Sequence, residues 1–208
     1  MATYFGILPT YTSVHDITLE DLKKRAKKIH YFGLGFIQIK LNNHERVHFY
    51  TTTLPPIVDM EEVHDHRYDF YSFVLSGVYH HELFELREGS THVLTEETCV
   101  DPNVITTKPS KTLHETPSHP CSIIKTGEVW MKEGSHYFIE KNVLHRVSTE
   151  NAITFLIRES PTKERARVVY KEGAPRVCPF RDIVSEELLW NIVAQELKKA
   201  KTRKIITK

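Results

Sequence analysis

The 208-residue chain has few cysteines: Cys99, Cys121 and Cys178 are the only three, and no C-x-x-C occurs. So odd and widely spaced a set fits reduced thiols better than a disulfide framework or a cysteine-built zinc site. Charge of one sign is lacking too. With 28 Lys+Arg against 27 Asp+Glu the formal charge is +1, which argues against a nucleic acid or membrane partner held mainly by charge. No run approaches the roughly 18 apolar residues of a spanning helix, and Met1 to Gly6 lacks the basic start and apolar run of a signal peptide. The expected setting is cytoplasmic. A chain of this length can bury roughly 70% of the surface its unfolded form exposes, so a single domain can hold a core without staples.

Thr18-Leu19-Glu20-Asp21 reads as an N-cap followed by an acidic first turn. Leu19, Leu22, Ala26 and Ile29 then recur at helical spacing, so a first helix is expected over about 18–30. Residues 36–41 and 46–50 alternate apolar and polar around Asn42-Asn43-His44, the pattern of a β-hairpin. Short β-type runs follow at 71–75, 78–86, 123–125, 129–132, 136–139, 152–157 and 167–170. Many short strands without helices between them point to an antiparallel barrel or jelly roll. Residues 94–122, rich in Thr, Pro, Ser and His, lose all periodicity and read as an inserted loop or lid. Ile183, Leu188, Leu189, Ile192, Val193 and Leu197 mark one face of a closing helix, which runs into a basic tail. One domain results: a lead-in at 1–35, a β-barrel at 36–170, and a helix with its tail at 180–208.

Histidine is abundant, with 13 copies. His64-Asp65-His66 is the only H-x-H, and about 0.8 such pairs arise by chance, so context must decide its meaning. On a strand the two imidazoles share a face and can approach one ion, but a third ligand must come from elsewhere. From His64 the chain reads HDHRYDFYSFVLSGVYHHELFEL, with Gly77 eleven residues after His66. Gly134 and His145 follow further on, with Asn142, the next best residue to glycine in a left-handed turn, between them.

These segments resemble the two signature motifs of the cupin superfamily. HDH with its β-run, and Leu144-His145-Arg146-Val147, are most similar to the cysteine dioxygenase group of thiol dioxygenases, over about residues 36–160. The resemblance implies a double-stranded β-helix, that is, a jelly-roll barrel. It also implies iron(II) held by His64, His66 and His145, with Phe70 or Tyr71 where other cupins place a ligand carboxylate. Three imidazoles leave about three octahedral positions for a small-molecule substrate and O₂. Zn(II), Mn(II) or Ni(II) suit the same ligands. Dimers are common among the family's small barrels, so a homodimer is a further expectation.

Gln38 or Lys40 stands where the family carries a substrate-anchoring arginine, and residues 154–159 lack the family's Ser-x-His-x-Tyr run. Two other functions therefore stay open: a cupin that binds an anionic metabolite or nucleotide without turnover, and a zinc or manganese hydrolase or isomerase. Tyr68 and Tyr71 are candidate catalytic residues, because a phenol can move a proton or orient a ligand. Candidate substrate contacts are Gln38, Lys40, His48 and His81. His48 shares a strand face with Arg46 and Tyr50 and reads as either pocket or solvent-exposed, with exposure favoured. His80 and His81 must point to opposite faces. Arg146 is expected to form a structural ion pair, His136 to be structural, and Trp130 and Trp190 to belong to the core.

Overall fold

The computed structural model describes residues 9–56, 62–99, 113–115, 117–149, 151–174 and 184–206. Thr18 caps the first helix, α1 (Leu19–Arg25), by accepting from the Asp21 backbone N at 3.0 Å. The helix ends at Ala26 and does not reach residue 30, because Ile29 belongs to strand β1 (Lys28–Phe32) and faces Ile39 across a hairpin. Pairing with a neighbouring strand outweighs the local helical spacing there.

The remaining strands are β2 (Phe36–Lys40), β3 (Glu45–Tyr50), β4 (Val63–His64), β5 (Phe70–Ser76), β6 (Val78–Cys99) and β7 (Leu113–Glu115). After them come β8 (His119–Lys132), β9 (His136–Ile139), β10 (Leu144–Ser148), β11 (Ile153–Arg158), β12 (Ala166–Lys171) and the helix α2 (Glu186–Ile206). They form two antiparallel sheets. One runs β1-β2-β3-β11-β5-β9; the other runs β10-β4-β12-β6-β7, with β8 alongside β6.

Phe36 to Ile39 of β2 are all buried, so this strand is covered on both faces although its residues alternate apolar and polar. Ile37, Ile39, Val47, Phe49 and Phe155 face a core completed by Leu189, Ile192 and Val193 of α2. The alternate residues Phe36, Gln38, His48, Tyr50 and Thr154 face an internal cavity instead. Of the expected apolar face of α2, Leu188 is exposed and Ile183 lies outside the described residues.

In the second sheet β6 is long and bends. Residues 80–84 pair with β10 and residues 92–97 with β12, so β10, β4 and β12 lie between two halves of one ribbon. The expected loop at 94–122 is therefore strand at both ends: β6 continues to Cys99 and β8 begins at His119, while 100–112 lie outside the described residues. Backbone pairing with β12 and β8 makes these threonine-rich ends strands without any apolar period. The runs at 123–125 and 129–132 likewise belong to one strand, interrupted opposite Leu83 and Phe84 by a register shift. Trp130 is 67% exposed, stacked on His80 at 4.0 Å, and is not core, whereas Trp190 is buried. Cys121 is buried and free.

Candidate metal centre

The His64-Asp65-His66 segment is held by the residue between the two histidines. Asp65 is 1% exposed. Its Oδ1 accepts from the Arg167 backbone N at 2.8 Å, and its Oδ2 accepts from Arg167 Nε at 2.7 Å and Lys163 Nζ at 2.8 Å. The His66 backbone N donates to the Lys141 carbonyl at 3.1 Å, and Asp69 Oδ1 accepts from the Lys141 N at 2.6 Å. Neither aspartate serves as a partner for a ligand histidine. Their carboxylates fix the backbone from which the histidines project.

His145 pairs directly with His64 across β10 and β4. Its Nδ1–H donates to the Val143 carbonyl at 3.0 Å, which selects the tautomer with a lone pair on Nε2. That Nε2 lies 3.1 Å from Nε2 of His66. Two imidazole nitrogens bound to one ion at about 2.1 Å lie about 3.0–3.4 Å apart between octahedral and tetrahedral geometry, so this spacing fits a shared cation. His64 completes the set, one ligand atom from each histidine lying within 4.8 Å of the others. Its Nδ1 is buried without a hydrogen-bond partner among the described residues. Burial is the main cause lowering the pKa of all three, and neighbouring imidazoles push His66 and His145 further down, so the rings are neutral as ligands must be. His80, Glu82 and Glu128 form a second close group. Its carboxylates are already engaged, Glu82 by Arg146 at 2.8 Å and Glu128 by Lys125 at 2.9 Å, which bears out Arg146 as an ion-pair partner.

The triad opens onto a cavity of about 240 Å³ between the two sheets. Gln38, Lys40, His48 and Tyr68 line it. His48 is buried, not exposed, and its Nε2 meets Gln38 Nε2 at 3.0 Å. Burial lowers its pKa to about 3. The candidate catalytic residue Tyr71 and the candidate substrate contact His81 lie elsewhere. Tyr71 points away from the cavity and packs on Phe138 at 4.6 Å, because Phe70 occupies the inward position. His81 is buried behind His145, rings 4.9 Å apart and edge-on, and does not line the cavity. His136 is exposed and stacks on Phe73 at 5.9 Å.

Sequence reasoning missed Arg46, Tyr79, Tyr137 and Glu97 as lining residues. Arg46 could have been found, since it shares the strand face of His48. Tyr137 and Glu97 could not, because their inward placement depends on pairings between distant strands. Tyr79 and Tyr137 stack at 5.8 Å, and Tyr79 also meets the Tyr50 hydroxyl at 3.4 Å. Burial raises all three phenols, Tyr137 to about 12, so they stay protonated and can donate. Compared with protein-family models and with curated proteins, the chain finds no match.

Proposed function

We propose that the chain is a metal-dependent enzyme of the cupin type, in which a jelly-roll barrel holds iron(II) on His64, His66 and His145 and oxygenates a small molecule. The observation that carries this reading is the 3.1 Å approach of His66 and His145 Nε2 atoms, with the His145 proton committed to the Val143 carbonyl. When bound, the metal would supply open coordination positions that bring substrate and O₂ together.

The chain's own residues do the rest. Burial keeps the imidazoles neutral, and the Val143 carbonyl and the Asp65 clamp hold them in position. Tyr68 stacks on His66 with centroids 5.5 Å apart, closing one side of the centre. Phe36, Phe70 and Leu156 give the cavity an apolar wall, and the protonated phenols of Tyr79 and Tyr137 line it as donors for a bound substrate.

Metal analysis of the purified protein tests the proposal. About one equivalent of iron, or uptake of one equivalent of Fe(II), is expected for the wild type. His145→Ala should lower metal affinity by more than the 10–100-fold typical of losing a residue that only orients a ligand, and should abolish oxygen consumption. Metal content unchanged in the triple His64/His66/His145 variant would remove the centre from this site. Zinc or manganese at full occupancy, without oxygen consumption, would favour hydrolysis or isomerisation over oxygenation.

A further inference from the structure

Six aromatic rings from six different strands line the cavity in an unbroken series of contacts that starts at the triad. Phe70 of β5 meets His66 edge-on at 4.8 Å, and Tyr137 of β9 meets Phe70 edge-on at 6.3 Å. Tyr79 of β6 stacks on Tyr137, Tyr50 of β3 lies edge-on to Tyr79 at 5.7 Å, and Phe36 of β2 follows at 4.9 Å. Phe32 of β1 ends the series, stacked on Phe36 at 4.7 Å. Protein interiors leave few voids larger than a water, so a cleft of about 240 Å³ bordered by these rings is a place for a ligand and not loose packing. About 150 Å³ of apolar space is enough to admit benzene, so one substituted ring fits. Ring faces and edges are best met by another aromatic ring, in offset-stacked or edge-to-face contact, and an aliphatic thiol or amino acid offers neither.

The same wall carries a chain of hydroxyls. The Tyr50 and Tyr79 oxygens are 3.4 Å apart, and Tyr137 hydrogen-bonds with Tyr79 and with Ser72, which also lines the cavity. Burial keeps the three phenols protonated. Four hydroxyls carry four protons and the three links between them use three, so one O–H remains for an acceptor outside the chain. We propose that the cavity binds an oxygen-substituted aromatic compound, a phenol or an aryl ketone, whose ring lodges against Phe36, Tyr50 and Phe70 and whose oxygen accepts from the hydroxyl chain at Tyr79 and Tyr137. This substrate class rests on the reading of the cavity as an active site, but the binding does not itself require the metal.

Calorimetric titration of chelator-treated protein tests it, with phenol and 2-naphthol as aromatic ligands and cyclohexanol and decahydro-2-naphthol as their saturated counterparts. The expected result is that at least one aromatic ligand binds the wild type and its saturated counterpart binds about tenfold more weakly or not at all. Phe36→Leu should weaken the aromatic ligand about fivefold and leave the saturated alcohol within twofold, because it removes a ring and keeps an apolar wall. The double variant Tyr79→Phe/Tyr137→Phe keeps the rings and removes two hydroxyls, and should weaken the aromatic ligand about fivefold as well. Thermal unfolding of each variant reports whether it folds; if Phe36→Leu does not, the tyrosine variant locates the ligand and the wild-type comparison still decides the class. No binding of either aromatic ligand, saturated alcohols binding as tightly, or affinity within twofold of wild type in every folded variant would overturn the proposal. It fails separately from the metal centre. A protein that loads metal through its histidines but ignores aromatic ligands loses only the substrate class, and selective aromatic binding in a chain that takes no metal loses only the metal centre.

Discussion

Both carboxylate oxygens of Asp65 are held by Arg167, Oδ1 by the backbone N at 2.8 Å and Oδ2 by Nε at 2.7 Å. The two residues are 102 positions apart, and the bond ties the turn between His64 and His66 to β12. Lys163 adds a third donor, so this fully buried carboxylate beside the triad has its charge met from two sides. The cations, 22% and 27% exposed, keep contact with water.

Removing that carboxylate should loosen the site and the fold together. Asp65→Ala is expected to cost about 3–5 kcal/mol, the range for breaking a buried ion pair. Asp65→Asn keeps an acceptor for the Arg167 backbone N and should cost less, about 1–3 kcal/mol. Lys163→Ala should cost least, because Arg167 still satisfies Asp65. Urea unfolding of the three variants checks the order; Lys163→Ala as damaging as Asp65→Ala would contradict it.

Gly77 joins β5 to β6 at φ +83°, where an L side chain is strained. A Cβ there would lie 2.6 Å from the Asn151 carbonyl oxygen and 2.9 Å from the Ala152 Cα, both backbone atoms that cannot swing aside. Gly77→Ala should therefore destabilise by at least about 1–3 kcal/mol. Gly134 has a similar φ, +86°, but open space around it, so Gly134→Ala should cost less. Equal denaturation midpoints for the two variants would refute the steric part of this account.

Acid should weaken the fold through histidines that are buried neutral. Burial lowers His30 and His48 to about 3, whereas in the unfolded chain each titrates near 6.5. Below about pH 6.5 the unfolded state takes up protons that the folded state refuses. Stability is thus complete above that pH and is lost toward pH 3, at about 1.4 kcal/mol per pH unit for each residue. The double variant His30→Asn/His48→Asn should show a shallower fall in unfolding free energy between pH 7 and 5 than the wild type. An identical slope would mean that these two rings do not drive the loss.

Local patterns carried much of this protein. The Thr18 cap, the hairpin at 36–50, the closing helix and the β character of the chain follow from polar and apolar periodicity, which depends only on neighbouring residues. The H-x-H pair was legible because residues two apart on a strand share a face, whereas His145 was singled out only by the resemblance to a known family's second motif. The structure differs from the sequence pattern at the end of α1, at Trp130 and at Tyr71, because each depends on which strand lies alongside.

The sequence by itself determined a mainly β chain with balanced charge and a histidine set able to hold a metal. Tertiary structure decided the rest. The ribbon formed by β6 continues past residue 94 because β12 and β8 supply its hydrogen bonds, and the alternation of β2 and β3 becomes core on one face and cavity on the other because α2 covers only one side. The Asp65 clamp, the Arg46–Tyr68 hydrogen bond and the 3.1 Å meeting of His66 with His145 all join residues distant in the chain. No local pattern encodes such approaches: each forms only when packing of the two sheets brings those strands together.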